Sequence, residues 1–442
     1  LLSDLIARLA GLHGWHTTVV QNITDVGHMA DDTGLGGVDE GQGDGEDRIL
    51  RQAEHEGRGA LAVARHYEDA FHRDLAALNI HPADHYPRAS ESIDDMITLI
   101  AALVDRGHAY VGGDGSVFFD ARSVADYGAL SGNRLDELRP GHKFDADIDS
   151  TKRFHADWAL WKKAPETRTQ LVWDTPWGVG FPGWHTECAV MSTRYLGDSF
   201  DIHGGGMELK FPHHDCEISQ AKGLGKPFAN YWMHNNMLTI DGQKMSKSTG
   251  NFVTLIDAFE QHDPLAVRYF IAASHYRSVV DYSENALKTA GASLKRLHQT
   301  VRTLRERKPA DQKPLGTWFQ EIRQRFETAM DDDFSTPQAF AALFDLNREV
   351  NSMLASEDPN PEAMADAESL FTVLGGEVLG IIPEKIESGE SDQRLNDVMQ
   401  VMIDLRNQFR EEKNFQGADM IRDRLAEAGI QLKDSREGTN WE

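Results

Sequence analysis

The chain has 442 residues, 40% of them hydrophobic, with 71 Asp and Glu against 45 Lys and Arg for a net charge of −26. That length exceeds one hydrophobic core and suggests two to four domains at roughly 150 residues each, and no apolar run approaches the ~20 residues that a membrane span needs. Two cysteines, Cys188 and Cys216, are too few for a disulfide framework, so a reducing cytoplasm is expected, and any nucleic-acid surface must be a local patch on an acidic body.

The opening Leu1-Leu2-Ser3-Asp4 lacks the basic and apolar regions of a signal peptide. Leu2, Leu5, Ile6 and Leu9 keep a helical spacing, and Thr17-Thr18-Val19-Val20 predicts a short buried strand. A helix feeding a strand is the middle of an α/β unit, not its start. Asp31 to Asp47 is crowded with Gly, Asp and Glu, without apolar period, and predicts a surface loop; its acids do not fit the twelve-residue calcium spacing.

From Ser90 to Lys163 a helix (Ile93, Met96, Ile97, Ile100) precedes short strands at Tyr110 and Val117-Phe118-Phe119, an inserted α+β module. Phe200-Asp201-Ile202 and Tyr231-Trp232-Met233 predict further strands of the main sheet. Beyond Lys244 the pattern turns helical. Phe340, Leu343, Phe344, Val350 and Leu354 share one face, with Thr336-Pro337 as cap and first turn. Linkers are expected at Arg305 to Pro314 and Glu384 to Asp392. Leu395, Val398, Met402, Leu405 and Phe409 then predict an amphipathic helix, and Ala418, Ile421 and Leu425 another, ended by Gly429.

Two groups carry candidate chemistry. Lys244-Met245-Ser246-Lys247-Ser248-Thr249-Gly250-Asn251 places two lysines three apart among small hydroxyl residues. Such a loop suits a polyphosphate gathering charge, although on spacing alone a lysine-rich loop is more often a solvated turn. Cys188, His213 and Glu217 are side chains that zinc accepts, and His213 and Glu217 fall i,i+4 on one helical face. A buried thiol and a core histidine would explain them as well. His214 is expected to point elsewhere, and Cys216 is a competing thiol.

The Lys244 string resembles the lysine signature of class I aminoacyl-tRNA synthetases. Asn22-Ile23-Thr24-Asp25-Val26, Gly183-Trp184-His185-Thr186-Glu187-Cys188 and the run from Asp201 to His214 resemble signature strings of cysteinyl-tRNA synthetases. Asp332 to Pro337, Arg422-Asp423 and Gly438 to Trp441 continue the similarity over essentially the whole chain. The resemblance implies ATP-dependent activation of L-cysteine, with Mg2+, and transfer to tRNA(Cys). It implies one zinc per chain that receives the substrate thiolate, with Cys188, His213 and Glu217 as three of its four protein ligands. Thr24, Trp184, His203 and Glu208 would line the amino-acid pocket; Glu208 stands where the family usually has Asp. Lys244 and Lys247 would serve catalysis, with Ser246, Lys247 and Ser248 on ATP.

The implied architecture is a Rossmann-type parallel-sheet catalytic domain with an α+β insertion, a helical bundle and a small C-terminal domain. The expected divisions are 1–89 and 164–235 for the two catalytic halves, 90–163 for the insertion, 236–304 for the signature-loop region, 305–384 for the bundle, and 385–442 for the anticodon side. A cytoplasmic monomer is expected. The family's His-x-Gly-His string and its fourth zinc ligand are absent, and both would precede Leu1, so the chain is expected to be an N-terminally shortened, impaired version. Two alternatives stay open: a mycothiol-pathway cysteine ligase, and a degenerate paralogue that only binds cysteine, zinc or RNA. The acid excess, with arginine outnumbering lysine, also suggests salt adaptation; urea melts across a salt series should then shift, and stability independent of salt would contradict it.

Overall fold

The computed structural model describes residues 1–27, 47–138, 151–245, 251–309, 311–386, 390–427, 430, 432–435 and 438–441. The chain divides into two compact units, Leu1–Pro383 and Glu384–Glu442. Among the described residues no helix is long and apolar enough to cross a membrane.

Within the first unit, the helix Ile93–Asp105 packs against a four-stranded antiparallel sheet of Ala109–Val111, Val117–Phe119, Trp158–Lys163 and Gly180–Pro182. Large side chains fill this core, with Phe119 and Trp158 stacked at 4.4 Å between ring centroids. Val190, Met191 and Cys216 join the same cluster, which seats two later helices, Trp184–Leu196 and His213–Gly223, on it. The second of these helices crosses between the parallel strands Phe200–Gly206 and Ala229–Asn235, a βαβ unit. A third sheet sets Leu238–Ile240 parallel to Val280–Tyr282 and antiparallel to Gln243–Lys244.

Thr17 to Val20 does not form the expected strand. Val20 and Ile23 make single parallel bridges to His85 and Arg88 instead. Pro87 stands between those partners; its carbonyl accepts from Ile23, but it has no N–H to extend a ladder. The parallel sheet therefore lies in short pieces among the described residues.

Helices dominate after Tyr282. Glu284–Arg307 runs through Arg305, where a linker was expected to begin, because Leu304 is buried and Arg305 reaches Glu368 and the Pro383 carbonyl. The helix Thr336–Leu354 buries Phe340, Leu343, Val350 and Leu354 as expected, but Ser335 holds the cap position, with Thr336 and Pro337 inside the first turn. The second unit contains helices Glu390–Glu411 and Phe415–Glu427 and a hairpin, Leu432–Ser435 with Gly438–Trp441. Its first helix buries Met399, Ile403 and Arg406, while Val398 and Leu405 of the expected face are exposed. Apolar residues at 398, 399, 401, 402 and 403 cover more than half the helix circumference, so periodicity does not single out the buried side. Ala418 and Ile421 are buried as expected. Gly429 and positions 31 to 46 of the expected acidic loop lie outside the described residues, and Asp47 instead caps the helix Arg48–Glu56.

One buried ion pair ties distant segments of the first unit together. Arg268, fully buried, donates to Asp4 at 2.6 Å and to the carbonyls of Leu78, Asn79 and Leu379. Arg8 takes the other Asp4 oxygen at 2.9 Å and also reaches the Glu377 carbonyl. Burial alone would raise the Asp4 carboxyl; Arg268 and Arg8 outweigh it and hold it below the ordinary carboxylate range. An Arg268→Met variant should lose about 3–5 kcal/mol in urea unfolding, because it removes the donor to one buried Asp4 oxygen and to the Leu78 and Leu379 carbonyls. A loss under about 1 kcal/mol would show that the pair is not structural.

Candidate functional site

Two helix starts meet at the site. Gly183 precedes the helix Trp184–Leu196 and donates to the Leu160 carbonyl at 2.9 Å. A Cβ there would come within 2.0 Å of the Ala159 carbonyl oxygen, so only glycine lets the helix begin so close beneath the sheet. Its first turns carry Trp184, His185, Glu187 and Cys188. The helix His213–Gly223 begins beyond the carboxyl end of the strand Phe200–Gly206 and presents His213, His214 and Glu217. Open parallel sheets usually bind their ligands at such a place.

Cys188, His213 and Glu217 offer ligand atoms that all lie within 4.8 Å of one another. His203, His214 and Glu217 form a second group of the same compactness. Glu217 is the shared member, its side chain fully buried, with one oxygen 3.1 Å from His213 Nε2 and the other 3.5 Å from His203 Nε2. Burial would push this carboxyl up; the imidazoles of His203 and His213 prevail and hold it far below the ordinary range. Around them, His185 Nδ1 lies 2.7 Å from His213 Nδ1, and His214 Nδ1 lies 2.8 Å from His234 Nε2. Trp184 covers His213 at 4.3 Å between ring centroids.

The donor set fits a zinc ion. Thiolate, imidazole and carboxylate are accepted together, and His185 occupies His213 Nδ1, which leaves Nε2 toward the cluster, as ligating histidines require. Cys188 is half-buried, its thiol pushed up by burial and by Glu217 and Glu187, so without a cation it stays protonated. Cys216, the competing thiol, turns into the core, 3.7 Å from the Tyr127 hydroxyl, and belongs to neither group.

The structure thus gathers Cys188, His213, Glu217, His203 and Trp184. Glu208 lies on the adjoining turn Met207–Lys210, exposed, its carboxylate over Gly206. Thr24 is exposed and accepts from Asn22; its neighbour Val26 packs in the core that holds Val190 and Met191. Lys244 pairs with Thr239 at the end of the strand Gln243–Lys244. Ser246, Lys247 and Ser248 lie outside the described residues. Sequence reasoning missed His185 and His234, and it sent His214 away although His214 shares Glu217. His185 was within reach, since it sits i,i+3 to Cys188 on one helix. His234 arrives from a neighbouring strand, which no local spacing reveals.

Residues 41–292 match the family model described as the tRNA synthetases class I (C) catalytic domain, and residues 325–383 match the DALR domain. The chain is 43% identical to the cysteine–tRNA ligase of Chlorobium chlorochromatii (strain CaD3), with 99% of this chain and 89% of that protein covered. The chain belongs to the cysteine–tRNA ligase family. Cysteine–tRNA ligases of Deinococcus radiodurans and Thermus thermophilus are 42% and 40% identical, each over 99% of this chain and over 87% and 89% of their own lengths. The chain is accordingly an enzyme, an ATP-dependent ligase. At the level of fold alone it is similar to Mycobacterium tuberculosis methionyl-tRNA synthetase bound by methionyl-adenylate, with a TM-score of 0.54 and 16% identity over 94% of this chain and 91% of that one.

Thiols report the state of the site. Both are buried or half-buried and pushed well above their usual range. The metal-stripped native chain should therefore resist a disulfide-exchange reagent at neutral pH and release two thiols only on unfolding. Rapid modification of Cys188 in the folded, metal-free chain would contradict this.

Proposed function

We propose that the chain activates L-cysteine with ATP to cysteinyl adenylate and transfers cysteine to tRNA(Cys), with a zinc ion selecting the substrate thiol. The observation that carries this reading is the convergence of Cys188, His213 and Glu217 in a chain of the cysteine–tRNA ligase family. These three side chains would hold the ion. A bound zinc supplies a soft coordination site that a thiolate fills far better than a hydroxyl, which separates cysteine from serine without editing.

The protein's own groups do the rest. His185 fixes the ring of His213, and the two oxygens of Glu217 orient His203 and His213 by close contact with their Nε2 atoms. The Trp184 indole walls one side of the thiol site. The Glu208 carboxylate is the counter-ion offered to the substrate ammonium. With the ammonium and thiol anchored, the substrate carboxylate attacks the α-phosphorus of ATP and pyrophosphate leaves. A carboxylate is already nucleophilic, so no general base is needed, and positioning and charge stabilisation provide the rate. Lys247, with Lys244, offsets the charge that builds on the departing pyrophosphate.

The test is amino-acid-dependent ATP–pyrophosphate exchange. Cysteine should support exchange and serine should fall short by about 10⁴-fold or more in kcat/KM. Lys247→Ala should lower exchange by about 10²-fold or more while cysteine binding stays within a few-fold. Equal exchange with serine, or full exchange in the Lys247 variant, would overturn the respective assignment.

A further inference from the structure

Two consecutive residues between the helices Gln320–Asp331 and Thr336–Leu354 stand in the left-handed region, Asp333 and Phe334, each at a φ of +54°. Aspartate tolerates that conformation in part, and phenylalanine hardly at all. Strain of this kind gathers at functional sites. Both residues belong to the string Asp332 to Pro337, which the chemistry proposed above leaves unused.

The strained turn aims one carboxylate. Asp333 Oδ1 accepts the Tyr276 hydroxyl at 2.6 Å and Arg277 Nη2 at 3.0 Å, and Oδ2 accepts Arg277 Nε at 2.6 Å. Arg277 and Tyr276 hold the carboxyl below the ordinary carboxylate range. Beside it the Thr336 hydroxyl donates to the Ser274 carbonyl at 3.3 Å. Both partners of Asp333 lie in the turn His275 to Ser278, closed by the Ser278 N–H on the His275 carbonyl at 2.8 Å. Folding stability does not account for the clamp. The Arg277 and Asp333 side chains are 60% and 41% exposed, and ion pairs so open to water contribute little.

From the clamped turn the contacts run to the start of the lysine string. The Asn236 N–H donates to the Tyr276 carbonyl at 2.8 Å, and Asn236 Nδ2 donates to the Arg277 carbonyl at 2.8 Å. Asn236 joins the strand Ala229–Asn235 to Leu238–Ile240, and its own Oδ1 accepts the Met237 N–H at 2.9 Å. Leu238–Ile240 pairs with Gln243–Lys244, where the lysine string begins. Asp281 secures the far end of this hairpin, accepting the Thr239 hydroxyl at 2.6 Å and the Gly242 N–H at 2.7 Å. Asn236 secures its base, and that base is tied through two carbonyls to the turn that Asp333 holds.

We propose that Asp333 is a positioning residue for the lysine string: it clamps the turn His275 to Ser278, which through Asn236 fixes the base of the hairpin leading into that string. The inference rests on the activation chemistry proposed above, and it adds the side chain of the helical region that aligns it. Asp333 acts through Tyr276, Arg277 and Asn236, and its effect falls on the ATP step, not on the cysteine site.

The experiment opens the clamp from each side in the full chain. Asp333→Gly removes the carboxylate and leaves a residue at ease with the backbone of the turn; Arg277→Gln removes the guanidinium. In cysteine-dependent ATP–pyrophosphate exchange, kcat/KM for ATP should fall about tenfold or more in each variant, while KM for cysteine stays within about twofold. The double variant should be no worse than either single one, because both break the same contact. Asp333→Asn, which keeps an acceptor for Tyr276 and suits the left-handed conformation, should recover part of the loss. Amide hydrogen exchange over residues 236 to 244 should quicken in Asp333→Gly with the urea midpoint no lower. Unaltered ATP kinetics or unaltered hydrogen exchange would overturn the proposal. So would losses that follow a lowered urea midpoint, or that multiply in the double variant, since the pair would then be merely structural. Absence of cysteine-dependent exchange in the unsubstituted chain would instead count against the activation chemistry, while hydrogen exchange over 236 to 244 would still decide the clamp.

Discussion

A carboxylate with no solvent contact governs the site. Glu217 is fully buried, and an ionised group there is tolerable only because His203 and His213 bring their imidazoles within 3.5 and 3.1 Å of its two oxygens. That requirement fixes much of the surrounding geometry. The helix Trp184–Leu196 must begin tightly beneath the sheet, which Gly183 permits, so that Cys188 and His185 face the second helix. The strand Phe200–Gly206 must deliver His203 to the same point, with Gly205 so close to His214 that a Cβ would meet its ring at 2.9 Å. The resulting ring of imidazoles around one carboxylate and one thiol is an arrangement that a divalent cation would complete.

The Arg268 hub does comparable service at longer range. It lies on the helix Pro264–Ala272, which follows the lysine string in sequence, and binds the first helix, the Leu78-Asn79 turn and the Leu379 carbonyl of the helical region. Gly380 faces it at positive φ with no room for a side chain; a Cβ there would approach the guanidinium within 2.5 Å. Catalytic segments and bundle are consequently one packed body, consistent with a single compact unit from Leu1 to Pro383.

Much of this was legible in the sequence, for identifiable reasons. The i,i+4 relation of His213 and Glu217 is a helical fact and survives folding unchanged. The helix at Ile93, the strand at Val117 and the buried face of Thr336–Leu354 follow from periodicity. What was not legible depends on tertiary approach. Cys188 reaches His213 only because two helix starts converge, and it was the family strings, not any spacing, that joined them. His234 and the second group around Glu217 come from a parallel strand pairing that sequence separation conceals. Thr17 to Val20 carried a strand pattern that a proline in the partner segment cut to single bridges. On the helix Glu390–Glu411 apolar residues spread over more than half the circumference, so the buried side differs from the face that periodicity suggests.

The most direct test of the proposal that this site reads a thiol is spectroscopic. Cobalt(II) substituted for zinc reports each sulfur ligand through a thiolate-to-metal charge-transfer band in the near ultraviolet. The cobalt-loaded chain should show a band from Cys188, absent in Cys188→Ala. Adding L-cysteine should increase it, and adding L-serine should leave it as it was. A spectrum indifferent to cysteine, or a cobalt complex formed equally well without Cys188, His213 and Glu217, would contradict the central claim.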